Sequence, residues 1–269
     1  MRSENIFLQG IKTPCLLGGE KSEAGAVFVH GNPGSGSDWK TLLNPLSKFI
    51  FVVAPDMPGF GKADKPDDFN YSIEGYKEHL NLLIEELGLK KVDLVIHDFG
   101  GAWGLAWAIE NADKVNSITL VNIGLMRDYR WHLFAKLWRI PIIGELAMML
   151  PNRLVFKLGL KVGNPRGLPP SYINEIIENF DQKTKRAVLR LYRDTDVSKM
   201  NLDKGFSIVF QSEPEPGFPW TNTAPASLFS PPNKHGVFIP CKNMFSERIP
   251  FSVGRSKVYR LPYSLTLKI

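Results

Sequence analysis

Cysteine is scarce in this 269-residue chain, and long apolar runs are missing. The two cysteines, Cys15 and Cys241, lie far apart and form no metal-binding or redox motif. No segment reaches about 18 uninterrupted apolar residues, and the opening MRSENIFLQG lacks the apolar run of a secretory signal. The sequence therefore predicts no transmembrane helix, and a cytoplasmic location is the default expectation.

Motifs for cofactors and nucleic acids are missing too. The segment GNPGSG resembles a phosphate loop but lacks its Lys-Ser/Thr ending, and no metal cluster is visible, so we predict no cofactor. The net charge of +6 is concentrated between Gly124 and Leu168, where eight Lys or Arg accompany only Asp128 and Glu145. Nucleic-acid binding is one interpretation. Because no nucleic-acid motif accompanies the charge, we favour the solvated faces of amphipathic helices.

Short apolar runs alternate with helical patterns over the first half of the chain. Residues 4–18 predict two short strands joined by a turn. Buried strands follow at 26–30, 49–56, 92–98 and 115–124, with a helix between each pair. This alternation predicts an α/β protein with a doubly wound, mostly parallel sheet.

The alternation stops after the fourth of these buried strands. Residues 125–200 are helical in pattern, which is typical of an inserted cap or lid. We therefore divide the chain into a first part of the core at 1–124, a helical lid at 125–200 and the remainder of the core at 201–269. The last part is irregular and rich in proline and serine.

The segment VDLVIHDFGGAWG places a carboxylate, Asp98, where a buried strand turns into a helix. Gly100 and Gly101 supply the room that closely approaching backbone needs at such a corner. An aspartate side chain has an ordinary pKa of about 3.9, so it is ionised at neutral pH and attacks carbon without a base to activate it. The residues predict a nucleophile that forms an ester on the enzyme. The alternative is that Asp98 only caps the helix.

Two backbone amides are predicted to form an oxyanion hole at this corner. One belongs to Phe99, directly after the nucleophile. The other belongs to Asn32, in the loop after the strand AVFVH. Activated water must then hydrolyse the ester. This chemistry suits carbon–halogen bonds and strained epoxides better than peptides.

Three ordered motifs resemble the α/β-hydrolase fold family, specifically its aspartate-nucleophile branch of haloalkane dehalogenases and epoxide hydrolases: HGNPGSGSDW, PDMPGFGKADKP and LVIHDFGGAWGLAWA. The resemblance implies that the side chain of Asn32 helps to hold a leaving halide. Asn32 and Ile96 match the dehalogenase pattern. Phe99 departs from it, because dehalogenases carry a tryptophan whose indole N–H donates to the halide.

The resemblance also implies a histidine base in the closing part of the core. It implies an orienting acid as well, either at the end of the fourth buried strand or after the seventh strand of the family's core. His235 is the histidine of that region, but its context does not match the base loop. The positions expected for the acid hold Asn122 and Gly236. The sequence therefore predicts a nucleophile and an oxyanion hole without identifying the base or the acid.

The lid is predicted to roof a pocket for a small apolar substrate, lined by Trp131, Phe134, Trp138, Met148 and Met149. Its apolar and basic composition also allows contact with a membrane surface, which we regard as the lesser role. An epoxide hydrolase is the alternative enzyme, with hydroxyl groups from Tyr129, Tyr172 or Tyr192. A catalytically impaired hydrolase that only binds apolar ligands is the other alternative. The oligomeric state stays open.

Overall fold

The computed structural model describes residues 1–123, 131–149, 168–195 and the backbone of 266–268. The chain begins with an antiparallel hairpin of β1 (Arg2–Leu8) and β2 (Ile11–Gly18), in which Leu8 pairs with Ile11. The two-residue turn takes positive φ at Gln9 and Gly10, as a tight hairpin requires. The two predicted strands at 4–18 are therefore present.

The centre of the sheet is parallel. It consists of β3 (Ala24–Val29), β4 (Phe51–Pro55), β5 (Lys91–His97) and β6 (Val115–Val121). A short strand, β7 (Thr266–Lys268), pairs antiparallel with β6. The order within the described sheet is β1-β2-β4-β3-β5-β6-β7, so the predicted doubly wound, mostly parallel sheet is confirmed.

Helices cover both faces of this sheet. A 3-10 turn (Gly36–Trp39) leads into α1 (Lys40–Leu46), and α2 (Ile73–Glu86) and α3 (Phe99–Glu110) follow. Alternate side chains of the strands divide between two apolar clusters. Val27, Val29 and Val53 join the cluster that contains α2 and α3, whereas Phe28 and Val52 join the one beneath Trp39 and Leu43. The period of two along each strand thus produces the two layers.

The caps of these helices follow local chemistry. The hydroxyl of Ser72 accepts a hydrogen bond from the amide of Gly75 and begins α2, as its sequence predicts. At the turn before α1 we expect Ser37 or Asp38 as the cap. The structure instead uses Ser35, whose side chain and that of Asp38 form a reciprocal capping box.

Within the range predicted as the lid, the described residues form four helices: α4 (Leu133–Arg139), α5 (Ile143–Met149), α6 (Pro170–Asn179) and α7 (Gln182–Asp194). The boundaries at 124 and 200 stay predictions. Most of the third part, 201–269, lies outside the described residues. None of the described helices combines the length and the apolarity that a membrane span needs.

Candidate active site

The corner between β5 and α3 is a strained turn. Asp98 sits there with φ 50° and ψ −121°, a conformation that L-residues avoid at a cost of about 1–3 kcal/mol. A Cβ added to Gly100 would lie 2.6 Å from the carbonyl oxygen of Val29, so β3 passes as close as the sequence predicts. This turn places the half-buried Asp98 side chain above the carboxyl ends of the parallel strands.

The Asp98 carboxylate does not cap its own helix. It forms no side-chain capping hydrogen bond with α3. Instead the backbone amide of Asn32 donates a hydrogen bond of 2.8 Å to its Oδ1. The N-terminus of α3 also favours a negative charge at this position. The capping alternative is therefore not what the structure shows.

The side chain of Asn32 reaches helix α7. Its Nδ2 donates to the hydroxyl of Tyr192 on α7, at 3.4 Å. Its Oδ1 is buried and has no hydrogen-bond partner among the described residues. The Tyr192 hydroxyl also lies 3.5 Å from Nε2 of His132. A polar chain thus leads from the corner at Asp98 to the helices above it.

Aromatic rings surround this polar chain. Phe99 is buried and packs edge-to-face against Tyr192 with a centroid distance of 5.1 Å. Trp131 lies 6.4 Å from Phe99, and Trp138 lies 5.0 Å from Tyr192. Phe134 is 63% exposed and stacks on Trp138 at 6.1 Å. The structure therefore brings both tryptophans to the site but leaves Phe134 on its outer side.

The two methionines predicted beside these rings differ in position. Met148 is buried in the main apolar cluster, whereas Met149 is 71% exposed.

Of the tyrosines, Tyr192 meets Asn32 and Tyr172 bonds to Asp38 on another side of the loop. Tyr129 lies outside the described residues. Tyr192 is therefore the tyrosine that the described structure brings to the corner.

His30 is a structural histidine. Its Nδ1 donates to the carbonyl of Gly31 at 2.8 Å, and its Nε2 accepts from the amide of Met57 at 2.9 Å. Burial lowers the pKa of His30 to about 4, so the ring stays neutral. Because both nitrogens are engaged, His30 orients the Asn32 loop and cannot accept a proton from water.

The other described histidines are not placed as a base either. His79 bonds to the hydroxyl of Thr13 in the core, away from Asp98. His132 begins α4 and accepts the amide of Ala135 at Nδ1, which leaves its proton on Nε2. His97 has a buried Nε2 without a partner among the described residues, and burial lowers its pKa.

The predicted positions of the base and the acid remain untested. His235 and Gly236 lie outside the described residues. Asn122 follows β6 directly and has φ 43°. An amide side chain carries no negative charge, so Asn122 cannot act as the acid that orients a histidine.

A second polar region lies on the other side of the Asn32 loop. A pocket is lined there by Pro33, Asp38, Tyr172 and Glu175, among others, and its lining does not include Asp98. The hydroxyl of Ser37 donates to Glu175 on α6 at 2.5 Å. Burial raises the pKa of Asp38 to about 7, and the charges of Asp56 and Glu175 add to this effect. Sequence reasoning did not identify this region.

The chain belongs to the α/β-hydrolase family. The model of that family, described as the alpha/beta hydrolase fold, matches residues 27–226. The matched range includes the corner at Asp98 and the Asn32 loop. The family and the fold inferred from the three motifs are thus confirmed, and the protein is a hydrolase-fold enzyme with hydrolase relatives.

Several known proteins are similar to parts of this chain. A 2-hydroxy-6-oxo-2,4-heptadienoate hydrolase of Pseudomonas putida is 40% identical over 35% of this chain and 36% of its own. A haloalkane dehalogenase of Agrobacterium fabrum is 36% identical over 36% and 32%. A cis-3-alkyl-4-alkyloxetan-2-one decarboxylase of Xanthomonas campestris is 26% identical over 76% and 71%. The first two matches thus span about a third of the relative's length.

A solved structure shows the same fold. The epoxide hydrolase CorEH has a TM-score of 0.63 to this chain at 20% identity, covering 72% of this chain and 73% of its own. At that identity the likeness concerns the fold alone.

Proposed function

We propose that the protein is an aspartate-nucleophile hydrolase that forms an alkyl-enzyme ester, in the manner of a haloalkane dehalogenase. The observation that carries the proposal is the position of Asp98. Its carboxylate projects from a strained corner, is not used as a helix cap, and accepts the amide of Asn32 at 2.8 Å. An anion held in this way is oriented for attack and needs no proton removed.

In the first step one carboxylate oxygen of Asp98 attacks the carbon that bears the halogen. A carbon–oxygen bond forms, the carbon–halogen bond breaks, and the halide leaves with the electron pair. The Nδ2 group of Asn32 carries N–H donors suited to the departing anion. The aromatic wall of Phe99, Trp131 and Trp138 excludes water and fits an apolar alkyl group.

In the second step water gives a proton to a base and attacks the carbonyl carbon of the ester, so negative charge develops on the carbonyl oxygen. The bond from this carbon to the alkoxy oxygen then breaks, the alcohol leaves with a proton, and the carboxylate of Asp98 is restored. The amide of Asn32, which already points at Oδ1 of Asp98, supports that charge together with the amide of Phe99. The attacking water needs a base. We expect this base in the closing part of the core, outside the described residues. His235 is the histidine of that region, although its sequence context does not match the base loop.

The test is covalent trapping with a brominated alkane. The intact mass should rise by one alkyl group less a proton if the ester persists, and bromide should be released in either case. Peptide mapping should place the adduct on Asp98. Asp98→Asn should abolish both signals, whereas Asp113→Asn, an exposed carboxylate, should change neither. Folded wild-type protein that forms no adduct and releases no bromide would contradict the proposal.

A strained cyclic ether or lactone is the second candidate substrate. Phe99 has no N–H to donate to a halide, whereas the Tyr192 hydroxyl lies at the site, within reach of Asn32. Opening a strained ring produces an oxyanion that such a hydroxyl can protonate. The similarity over 76% of this chain to an enzyme named for an oxetanone substrate supports this alternative.

The two candidates are separated by product analysis. An epoxide hydrolase forms a diol from an epoxide and releases no halide from alkyl halides. Tyr192→Phe should then slow ring opening by about 100-fold, the usual size of general acid catalysis, but leave halide displacement nearly unchanged. Equal loss in both reactions would indicate that Tyr192 only positions Asn32.

A further inference from the structure

The hydroxyl of Tyr192 joins three parts of the molecule. Tyr192 belongs to α7, and its oxygen lies 3.4 Å from Nδ2 of Asn32, in the loop after β3. The same oxygen lies 3.5 Å from Nε2 of His132, at the start of α4. Tyr192 is 160 positions from Asn32 and 60 from His132, so tertiary packing alone brings these groups together. The attack proposed for Asp98 gives His132 no part, although His132 belongs to this connection.

The ring of Tyr192 is held rigidly. It is buried and packs against Phe99, Trp131 and Trp138, with centroid distances of 5.1, 5.4 and 5.0 Å. Its backbone is fixed as well, because the guanidinium of Arg139 donates to the carbonyl of Tyr192. Close packing on these sides keeps the hydroxyl at one position, beside the side chain of Asn32.

The proton of His132 is placed by its own helix. Nδ1 accepts a hydrogen bond of 3.2 Å from the amide of Ala135, so the neutral ring carries its proton on Nε2. Burial lowers the pKa of His132, against the opposing charge of Asp98, and thereby favours the neutral ring. The Nε2–H group faces the oxygen of Tyr192. His132 is therefore a donor to Tyr192, which keeps its own hydroxyl proton to donate.

The amide of Asn32 has one end without a partner. Its Oδ1 is buried and accepts no hydrogen bond among the described residues, while Nδ2 is directed at Tyr192. A half-turn of the amide exchanges the two ends. Oδ1 then accepts the hydroxyl of Tyr192, and Nδ2 takes the unpartnered position. Each orientation leaves one buried end unpaired, so an anion that pairs with Nδ2 decides for the turned one.

We propose that Tyr192 and His132 are positioning residues that turn the amide of Asn32 towards an anionic leaving group. Nε2–H of His132 donates to the oxygen of Tyr192, and the hydroxyl of Tyr192 donates to Oδ1 of Asn32. Nδ2 is thereby fixed as the donor to the leaving ion. Successive hydrogen bonds of one direction polarise and strengthen one another. The ion is the halide released in the reaction proposed for Asp98, on which this inference rests for its substrate.

The test is the binding of bromide to the full chain, measured by the saturable part of tryptophan fluorescence quenching. Tyr192→Phe keeps the ring and removes the hydroxyl, so the dissociation constant for bromide should rise about 10-fold. His132→Asn keeps a capping oxygen for the amide of Ala135, but its shorter side chain ends before Tyr192. This variant should raise the dissociation constant about three-fold and leave the melting temperature unchanged.

A double variant separates positioning from a structural role. In the background of Asn32→Ala there is no amide to turn, so Tyr192→Phe should have no further effect on bromide binding. Tyr71→Phe is the matched control, because it removes a hydroxyl that donates to the carbonyl of Pro66 at 3.0 Å and should leave bromide binding unchanged. Equal weakening by Tyr192→Phe with and without the amide of Asn32 would overturn the proposal.

Bromide binding also separates this role of Tyr192 from the reaction at Asp98, because binding requires no turnover. Saturable binding that weakens in Tyr192→Phe supports the positioning role even where a brominated alkane forms no ester on Asp98. Folded wild-type protein without saturable bromide binding would overturn it. Bromide release from the alkane at the same rate in wild type and Tyr192→Phe would overturn it too, and would leave the role of Asp98 intact.

Discussion

The amide of Asn32 lies 2.8 Å from Oδ1 of Asp98, although the two residues are 66 positions apart in the chain. The contact joins the loop after β3 to the corner after β5, which are neighbours because these strands pair in parallel. Parallel neighbours end at the same edge of a sheet, so the loops that follow them meet there. The candidate site is therefore a consequence of strand order.

Gly31 keeps these two loops close enough to touch. A Cβ at this position would lie 2.6 Å from Oδ1 and 2.8 Å from Cγ of Asp98. Gly31→Ala should thus displace the carboxylate and slow ester formation about 100-fold, because a shift near 1 Å can cost that much. The rate of halide or diol formation measures this. Gly88→Ala is the control: its φ is +71° and nothing lies within 4 Å, so it should cost stability alone.

Phe99→Trp should move the enzyme towards halide chemistry. Phe99 lies beside Asp98 and Tyr192, and an indole N–H there adds one donor for the leaving ion. A hydrogen bond to a charged group contributes about 1.5–3 kcal/mol, so bromide release should rise about 10- to 100-fold. The larger ring should cost about 1–3 kcal/mol of stability. Phe99→Leu, which adds no donor, should show no gain; a folded tryptophan variant without a gain would contradict this role.

Some of the site could be predicted from sequence because its determinants are local. The apolar runs fix the strands, and the strand–turn–helix around Asp98 follows from the glycines after it. The proximity of the Asn32 loop follows from parallel pairing. These relationships need no knowledge of distant side chains.

The remaining features depend on tertiary contacts that no local pattern encodes. Tyr192 bonds to Asn32 across 160 positions, and Phe134 faces outwards although its type suggested a pocket. The cap at Ser35 was missed because Ser37 and Asp38 are equally good capping residues. Rotation of a helix about its axis and competition between equivalent caps are decided by packing.

His79 should make part of the stability depend on pH. Burial lowers the pKa of His79 to about 4, below its ordinary value of 6.5. Between these values the unfolded chain binds a proton that the folded chain rejects, so this contribution to stability is lost as pH falls from about 6.5 to 4. The variant His79→Gln lacks this titration. Its free energy of unfolding in urea melts should lie below that of wild type at pH 6.5, and this difference should shrink by up to about 3 kcal/mol as the pH falls to 4. A constant deficit would show that His79 is not buried in its neutral form.

Asp38 should have the opposite pH dependence. The charges of Asp56 and Glu175 face it, the amide of Ser35 and the hydroxyl of Tyr172 bond to it, and burial raises its pKa to about 7. The folded chain therefore holds a proton that the unfolded chain releases near pH 4, so this group lowers stability as pH rises from about 4 to 7.

Asp38→Asn keeps an oxygen for the Ser35 amide and removes the charge. At pH 8 the variant should be more stable than wild type by about 1–3 kcal/mol, and the gain should vanish near pH 4. Asp113→Asn, on the exposed surface, should show no such trend, and an equal effect of Asp38→Asn at both pH values would contradict the assignment.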